Sequence, residues 1–518
     1  MADTNLDTVA FSTDAAFDVV NRLKWTLYPV PTGPRPKLVP SFNEAGALRS
    51  LALDGIPLVE HIAYNAKGQR TLMVTAVSKT AGTIDKRVLT RYAYDSTTFR
   101  LLRMRSELCT ADASRNLTPL GNPLQDTGYL YDRSGNIWKQ LERISDGGFS
   151  PTKDALDRLY TYDALYRLLS ATGRETESVK KPVPAELLWD SGPWDDKIAK
   201  AQGYKEEYQY DAVGFLTELK RTSFTSGGPQ VHTRTYSGFL SGGTRTSNRL
   251  SSVSYPDPSP MPGPAVSISY SYDSAGNCLT EGPERKYEWD HAGRLRSFRN
   301  QTSDSAEPTQ YVQYLYDAAG MRVKKLNRKQ KGKDWDVVTY IDGVLELRRE
   351  QRSMAAKEGL MLHILDGEKR IGRRRSGETF DKKPDHLLVL SDHLSSANVE
   401  LDWEKGTLVD REEFRPYGET SYGSYELKRY RFTGKARDEE SGLNYHGARY
   451  YAPGLGRWMS PDPKGMVDGV NLYGYVRGNP IRLSDPTGRE GIQVAATAQL
   501  PLSAVAPQAA EGQTSGTS

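Results

Sequence analysis

Internal repetition constrains this chain more than any other feature of its sequence. A unit of the form aromatic-x-aromatic-Asp-x-x-Gly, followed by apolar residues, recurs through its middle. It reads YLYDRSGNI around Asp132, YQYDAVGFL around Asp211 and YSYDSAGNCL around Asp273. It returns as YEWDHAGRL around Asp290 and YLYDAAGMRV around Asp317. In YTYDALYRLLSATG, around Asp163, Tyr166 stands in the Gly position, and YAYDSTTF around Asp95 is an eroded copy. Such repetition is the signature of an array whose units cannot bury a face alone and must stack on one another.

The chemistry of the unit predicts its shape. Alternation places the two aromatic rings on one face of a strand. The Asp caps its own backbone in a turn, and Gly accepts a positive φ without steric cost. The apolar residues after the turn begin the return strand, so each unit is a β-hairpin. An isolated hairpin is marginal in water, and cross-strand contacts between tyrosines of neighbouring units would join the series. The expected fold is all-β: one long antiparallel strip of hairpins paired in a continuous sheet. In this reading the repeat aspartates are turn formers, not catalytic groups.

Composition agrees. There are 30 Tyr against 12 Phe, with 46 Gly and 29 Pro, which suits half-buried pleated surface and frequent turns. The formal charge is only +4, so nothing global points to nucleic acid. Two distant cysteines, Cys109 and Cys278, make neither a disulfide framework nor a zinc motif. The N-terminal MADTNLDTVAF lacks the basic and apolar regions of a Sec signal, and no stretch is long and apolar enough for a membrane span. The expectation is a protein made in the cytoplasm and secreted or released by a non-Sec route.

Five segments are expected. Residues 1–90 are strand-like without clear repeat units, and 91–345 hold the repeat shell, interrupted by Pro/Gly/Ser/Thr-rich insertions at 174–200 and 222–265. Residues 346–391 read as a basic loop region, 392–489 as a separate domain, and 490–518, devoid of aromatics, Lys and Arg beyond the boundary, as a disordered tail. The basic runs KKLNRKQKGK (324–333) and KRIGRRR (369–375) read as solvated loops rather than phosphate grips.

The segment 392–488 is the most specific part of the chain. It contains Phe414-Arg415-Pro416-Tyr417-Gly418, then RFTGKARDEESGLNYHGARYYAPGLGRWMSPDP, then NLYGYVRGNPIRLSDPTG. These motifs closely resemble the Rhs-associated core domain of Rhs/YD-repeat proteins, in the version carried by the C component, and related fused proteins, of insecticidal toxin complexes. The resemblance implies a hollow shell spiralled from repeats and closed at one end by the core domain. It further implies self-cleavage just after a terminal Asp-Pro-x-Gly-Leu, an enclosed toxin polypeptide, and a longer B-component-like YD-repeat partner that completes the shell. The cut is ascribed to an aspartic-protease-like pair of carboxylates with an Arg. Matched motif by motif, these are Arg449 of GARYY, Asp462 of SPDP and Asp485 of DPTG, with the cleavage site at Arg489.

Those residue types suit that chemistry. Two carboxylates forced together do not both ionise readily, so one keeps a proton while the other activates water. An Arg holds one carboxylate ionised or polarises a carbonyl. The bland alternative is that both Asp-Pro pairs simply start turns. Arg489 replaces the family's Leu, which predicts slow or lost cleavage. Asp468, in VDGVN, reads as a turn residue.

No other catalytic set competes. There is no phosphate loop or nucleophile elbow, and the histidines, among them His386, His393 and His446, have no metal-ligand spacing, so no cofactor or metal is expected. The alternative function is a cell-surface or carbohydrate-binding YD-repeat protein, its tyrosines stacking on sugars. A nucleic-acid effector using the basic runs is a third reading, without an active site to support it.

Overall fold

The computed structural model describes residues 11–493 except 31–32, 81–82, 113–115, 145–156, 177–200, 242–243, 256–264, 304, 353–354, 368, 379–382 and 424–427. Each YD unit is a hairpin with one recurring turn. In the unit at Asp132, the Asp132 N–H donates to the Asn136 carbonyl at 2.9 Å and the Gly135 N–H donates to the Asp132 carbonyl at 3.1 Å. The Asn136 N–H completes the turn by donating to Asp132 Oδ1 at 2.8 Å. The same three bonds close the turns at Asp163, Asp211, Asp273, Asp290 and Asp317. The fourth residue sits in the left-handed region: Gly135 has φ 89°, and Tyr166, standing in for Gly, has φ 64°. The eroded copy at Asp95 is one residue longer, with Phe99 at φ 58°.

The same turn also occurs where no aromatic-Asp-Gly unit is visible. Asp18, Asn43 and Asn65 open it inside the first 90 residues, and Asp392 opens it in the C-terminal region. The N-terminal segment is therefore built from the same hairpins, although its sequence lacks the full unit. The Asn side-chain oxygen accepts the closing bond as a carboxylate does, so the chemistry persists when the letter changes.

Successive strands pair antiparallel in chain order, from Asp14–Phe17 to Thr420–Gly423, as a 31-stranded sheet. One local exception occurs: Leu117–Pro119 and Gln125–Tyr131 both pair with Leu101–Ala111. Among the described residues, the first and last strands each have a single ladder partner, so the sheet is not closed. Neighbouring units are also joined by side chains. The aromatic residue just before the turn Asp bonds the backbone of the preceding unit: Tyr131 to the Leu101 carbonyl, Tyr162 to Ile137, Trp289 to Cys278 and Tyr316 to Leu295, at 2.6–2.8 Å. Arg100, Arg167 and Arg294, just after their turns, lie over the rings of Tyr131, Tyr210 and Tyr316 in the following units.

Several segments depart from the sequence reading. Within 222–265, Gly228–Ser241 and Thr244–Tyr255 are long paired strands, not an insertion, because Tyr236 on the first and Val253 and Tyr255, alternating on the second, are buried. Residues 346–391 are strands as well: most of Leu345–Arg352, then Ala355–Asp366, Lys369–Gly377 and His386–Ser391. The basic runs are solvated only in part: Gln330–Gly332 is an exposed turn, whereas the residues before it lie on the strand Arg322–Lys329. Lys325 is buried against Asp438 at 3.3 Å and Glu440 at 2.9 Å, and Arg373 lies 3.2 Å from Glu400. Local sequence shows the positive charges but not the acidic partners that neutralise them. Residues 177–200 and the tail beyond 493 lie outside the described residues.

Two apolar cores organise the strip. In one, Leu48, Leu51, Val59 and Val77 of the N-terminal strands pack with Leu345, Leu362, Leu388 and Leu401. A buried Arg70–Asp366 ion pair and the bond from Trp403 Nε1 to the Ala76 carbonyl, 2.5 Å, cross that junction. In the other, the first tyrosines of the units, including Tyr129, Tyr160, Tyr208 and Tyr314, pack with Leu443, Tyr450, Tyr451, Trp458 and Tyr475. The C-terminal domain thus sits on the tyrosine face of the strip.

Candidate active site in the C-terminal domain

A small four-stranded sheet, Ala436–Asp438, Leu443–Tyr445, Tyr450–Ala452 and Arg457–Trp458, carries the site. Arg449 immediately precedes its third strand. Asp462 follows the fourth strand, tied back by its N–H to the Leu472 carbonyl at 3.0 Å. Asp485 follows Leu483–Ser484, which pairs with Ile492–Gln493.

The structure brings Arg449, Asp462 and Asp485 together. Arg449 Nη2 lies 2.8 Å from Asp462 Oδ2 and 3.0 Å from Asp485 Oδ2, so one nitrogen serves both carboxylates. Each Asp keeps its other oxygen for a turn. Asp462 Oδ1 accepts the Lys464 N–H at 2.8 Å, and Asp485 Oδ1 accepts the N–H groups of Thr487 and Arg489 at 3.2 and 3.0 Å. The turn reading and the site reading are both realised, on different atoms of the same side chains.

The cluster is enclosed: Arg449 and Asp485 are 1% exposed and Asp462 8%. The guanidinium rests over the Trp458 ring at 4.1 Å. Burial pushes the Asp462 carboxyl above its ordinary range against the pull of Arg449, with Asp468 and Asp485 adding to the rise. Burial also weakens the hold of Arg449 on its proton, which the two carboxylates oppose. Two carboxylates facing one guanidinium leave one negative charge in excess, and a proton on one carboxyl removes it.

The terminal loop runs across this cluster. Arg449 Nε donates to the Gly488 carbonyl at 2.6 Å. Gly488 has φ +72°, and a Cβ there would meet the Arg449 backbone nitrogen at 2.8 Å, so only glycine lets the loop lie this close. The carbonyl held by the guanidinium is that of Gly488, one residue before the expected cut. The bond after Arg489 is bracketed by the Arg489 N–H on Asp485 and the Gly491 N–H on Asp468, the latter at 2.6 Å. The Arg489 side chain is exposed.

Residues that motif reading left aside also shape the site. His446 is buried among Tyr451, Trp458 and Tyr475, and its Nδ1 lies 2.6 Å from the Asp485 carbonyl. Burial pushes its pKa down to about 3, so it is a neutral ring donating to that carbonyl. Its place beside GARYY was the only sequence signal. Asp468 does stand in a turn, Met466–Asp468, and its side-chain oxygens bond outside it, to Arg477 and the Gly491 N–H. Among the described residues, no group of three or more His, Cys, Asp or Glu side chains is arranged to hold a metal ion.

No family model matches the chain. Among curated proteins it is similar to toxin subunit YenC1 of Yersinia entomophaga, 30% identical over 470 residues, covering 86% of this chain and 44% of that protein. Toxin subunit YenC2 of the same organism is 30% identical over 425 residues, covering 77% of this chain and 40% of its own length. The chain therefore spans less than half of these relatives. Among solved structures it is similar to the TcdB2-TccC3 crystal structure, with TM-score 0.75 and 27% identity over 94% of this chain and 22% of that one. The Photorhabdus luminescens Tc holotoxin pore gives TM-score 0.73 at 25% identity, with the same coverage.

Proposed function

The chain belongs to the Rhs/YD-repeat family, in the version found in toxin-complex C components, and on that premise we propose that it is a shell module that helps to enclose a polypeptide and frees it by cutting its own chain after Arg489. The observation that carries the cleavage reading is the convergence of Asp462, Asp485 and the Gly488 carbonyl on the single guanidinium of Arg449.

The chemistry balances without a cofactor. The ionised Asp485 takes a proton from water as the water oxygen bonds to the carbonyl carbon of residue 489. Protonated Asp462 donates to the carbonyl oxygen. When the C–N bond breaks, the leaving nitrogen takes up a proton and the upstream chain keeps a carboxyl group. Arg449 anchors the loop one residue upstream and favours ionisation of one member of the pair. The reaction is intramolecular and single-turnover. Intact mass of the purified chain over time tests it: the reading requires a fragment ending at Arg489. Wild-type protein that keeps its full mass indefinitely, or a cut elsewhere, overturns it.

A partner follows from the same reading. Among the described residues the outer strand Asp14–Phe17 leaves one edge without a ladder partner and is largely exposed, and such an edge recruits strands. A longer, B-component-like YD-repeat polypeptide fits that role, with the freed polypeptide held inside the joint shell and the assembly acting outside the cell that makes it. The carbohydrate-binding alternative loses its main support, because the first tyrosines of the units, such as Tyr129 and Tyr208, are buried against the C-terminal region rather than open to a sugar.

A further inference from the structure

We propose that Asp468 is a positioning residue that pins the chain on the downstream side of the cut and keeps the severed segment seated afterwards. The proposal rests on the self-cleavage reading for its catalytic part and on geometry alone for the pinning.

Asp468 belongs to a short turn, Met466–Asp468, whose backbone closes itself through the Gly469 N–H on the Met466 carbonyl at 3.1 Å. The side chain is not needed for that closure. Its Oδ2 accepts the Gly491 N–H at 2.6 Å. Its Oδ1 takes Arg477 Nε and Nη2 at 3.1 and 3.0 Å, which fixes the carboxylate in a fork. Gly491 lies flat on the domain: a Cβ there would stand 3.3 Å from both Asp468 Oδ2 and Val476 Cα.

Further contacts hold the same stretch. Lys464 Nζ pairs with Glu490 at 2.9 Å, and Ser484 and Leu483 pair in register with Ile492 and Gln493. Arg482 Nη2 donates to Gln493 Oε1 at 3.0 Å. Upstream, Arg449 and Asp485 hold Gly488 and Arg489. The peptide bond between Arg489 and Glu490 is therefore stretched between two sets of contacts, and orientation of this kind contributes to rate. Every downstream contact belongs to residues that stay on the chain after the cut. The new ammonium terminus, on Glu490, forms one residue from the Asp468 carboxylate and is attracted to it.

The experiment uses the full chain in two arms. In an Asp462→Asn background, hydrogen exchange of residues 489–493 is compared with and without Asp468→Ala. Loss of a charge-assisted bond predicts exchange faster by about ten- to a hundred-fold, and unchanged exchange overturns the pinning. With Asp462 intact, Asp468→Ala is expected to slow self-cleavage about ten-fold or more. Asp468→Asn, which keeps an acceptor oxygen for Gly491, is expected to recover part of that rate, a rescue that a merely structural residue would not show. Cleavage by Asp468→Ala at the wild-type rate overturns the positioning role. If the wild-type chain never cleaves, the functional reading fails together with the catalytic part of this proposal, while the exchange arm still decides the pinning.

Discussion

The Tyr162 hydroxyl donates to the Ile137 carbonyl at 2.7 Å, joining one YD hairpin to the hairpin before it. The bond spans 25 residues of sequence, yet it has the same geometry at Tyr131 and Tyr316. The second aromatic residue of the unit is thus a polar fastener as well as an apolar one. A neutral buried hydrogen bond contributes about 1 kcal/mol. Tyr162→Phe and Tyr316→Phe should each lower unfolding stability by about that amount, and the two should be additive because the sites are distant. Denaturant melts of the single and double variants check this.

Removal of either carboxylate from Arg449 should stop self-cleavage while leaving the fold. Asp462→Asn and Asp485→Asn each keep the oxygen used for their turns, so both should fold and lose about a hundred-fold or more in rate. Gly488→Ala should also cut slowly, because its Cβ would press on the Arg449 backbone. Time courses of intact mass decide; cleavage of Asp462→Asn at the wild-type rate would return both aspartates to turn duty alone.

Self-cleavage should be fastest at mildly acidic pH. The Asp462 carboxyl is raised by burial, so its proton is present at low pH and lost as pH climbs through the folded-state value. Above that point Asp462 is ionised and the donor to the carbonyl is gone, so the rate should fall. A rate that rises steadily from pH 5 to pH 9 would contradict the assignment of Asp462 as the acid.

Stability should also depend on Glu142. Burial, with the neighbouring Glu413 carboxylate, pushes it up to about 7, against the opposing pull of Arg158, Arg174 and Arg411. A carboxyl raised on folding binds its proton more tightly in the folded state, so its contribution is full below the ordinary glutamate range and is lost as pH rises towards 7. Glu142→Gln should flatten that slope and be more stable than wild type at pH 8 by about 1–3 kcal/mol. Thermal melts at pH 5, 6.5 and 8 measure it.

The docking of the C-terminal domain on the strip should depend on Arg322. It is buried, bonded to Asp438 at 2.7 Å and lying over the Tyr445 ring. Asp438→Ala would leave Arg322 and the nearby Lys325 short of a counter-charge inside the protein, at a cost of about 3–5 kcal/mol. Limited proteolysis should then release the domain more readily than from the wild-type chain.

The hairpins, their order of pairing and the left-handed position filled by Gly135 or Tyr166 were legible in the sequence, because each full unit closes its turn with atoms within four residues of its Asp. Arg449, Asp462 and Asp485 were legible as a set only through the resemblance of their motifs. What local letters could not convey is what lies opposite. The turns at Asn43 and Asn65 keep the chemistry but lose the signature, and the strands of 346–391 were hidden because their basic residues find acidic partners far along the chain, as Arg374 does with Asp54. The meeting of two carboxylates on one guanidinium, and the capture of Gly491 by Asp468, were decided by tertiary structure. Strand pairing and the docking of the small sheet set those distances, and residues 13 to 36 apart in sequence carry no local bond that would do so.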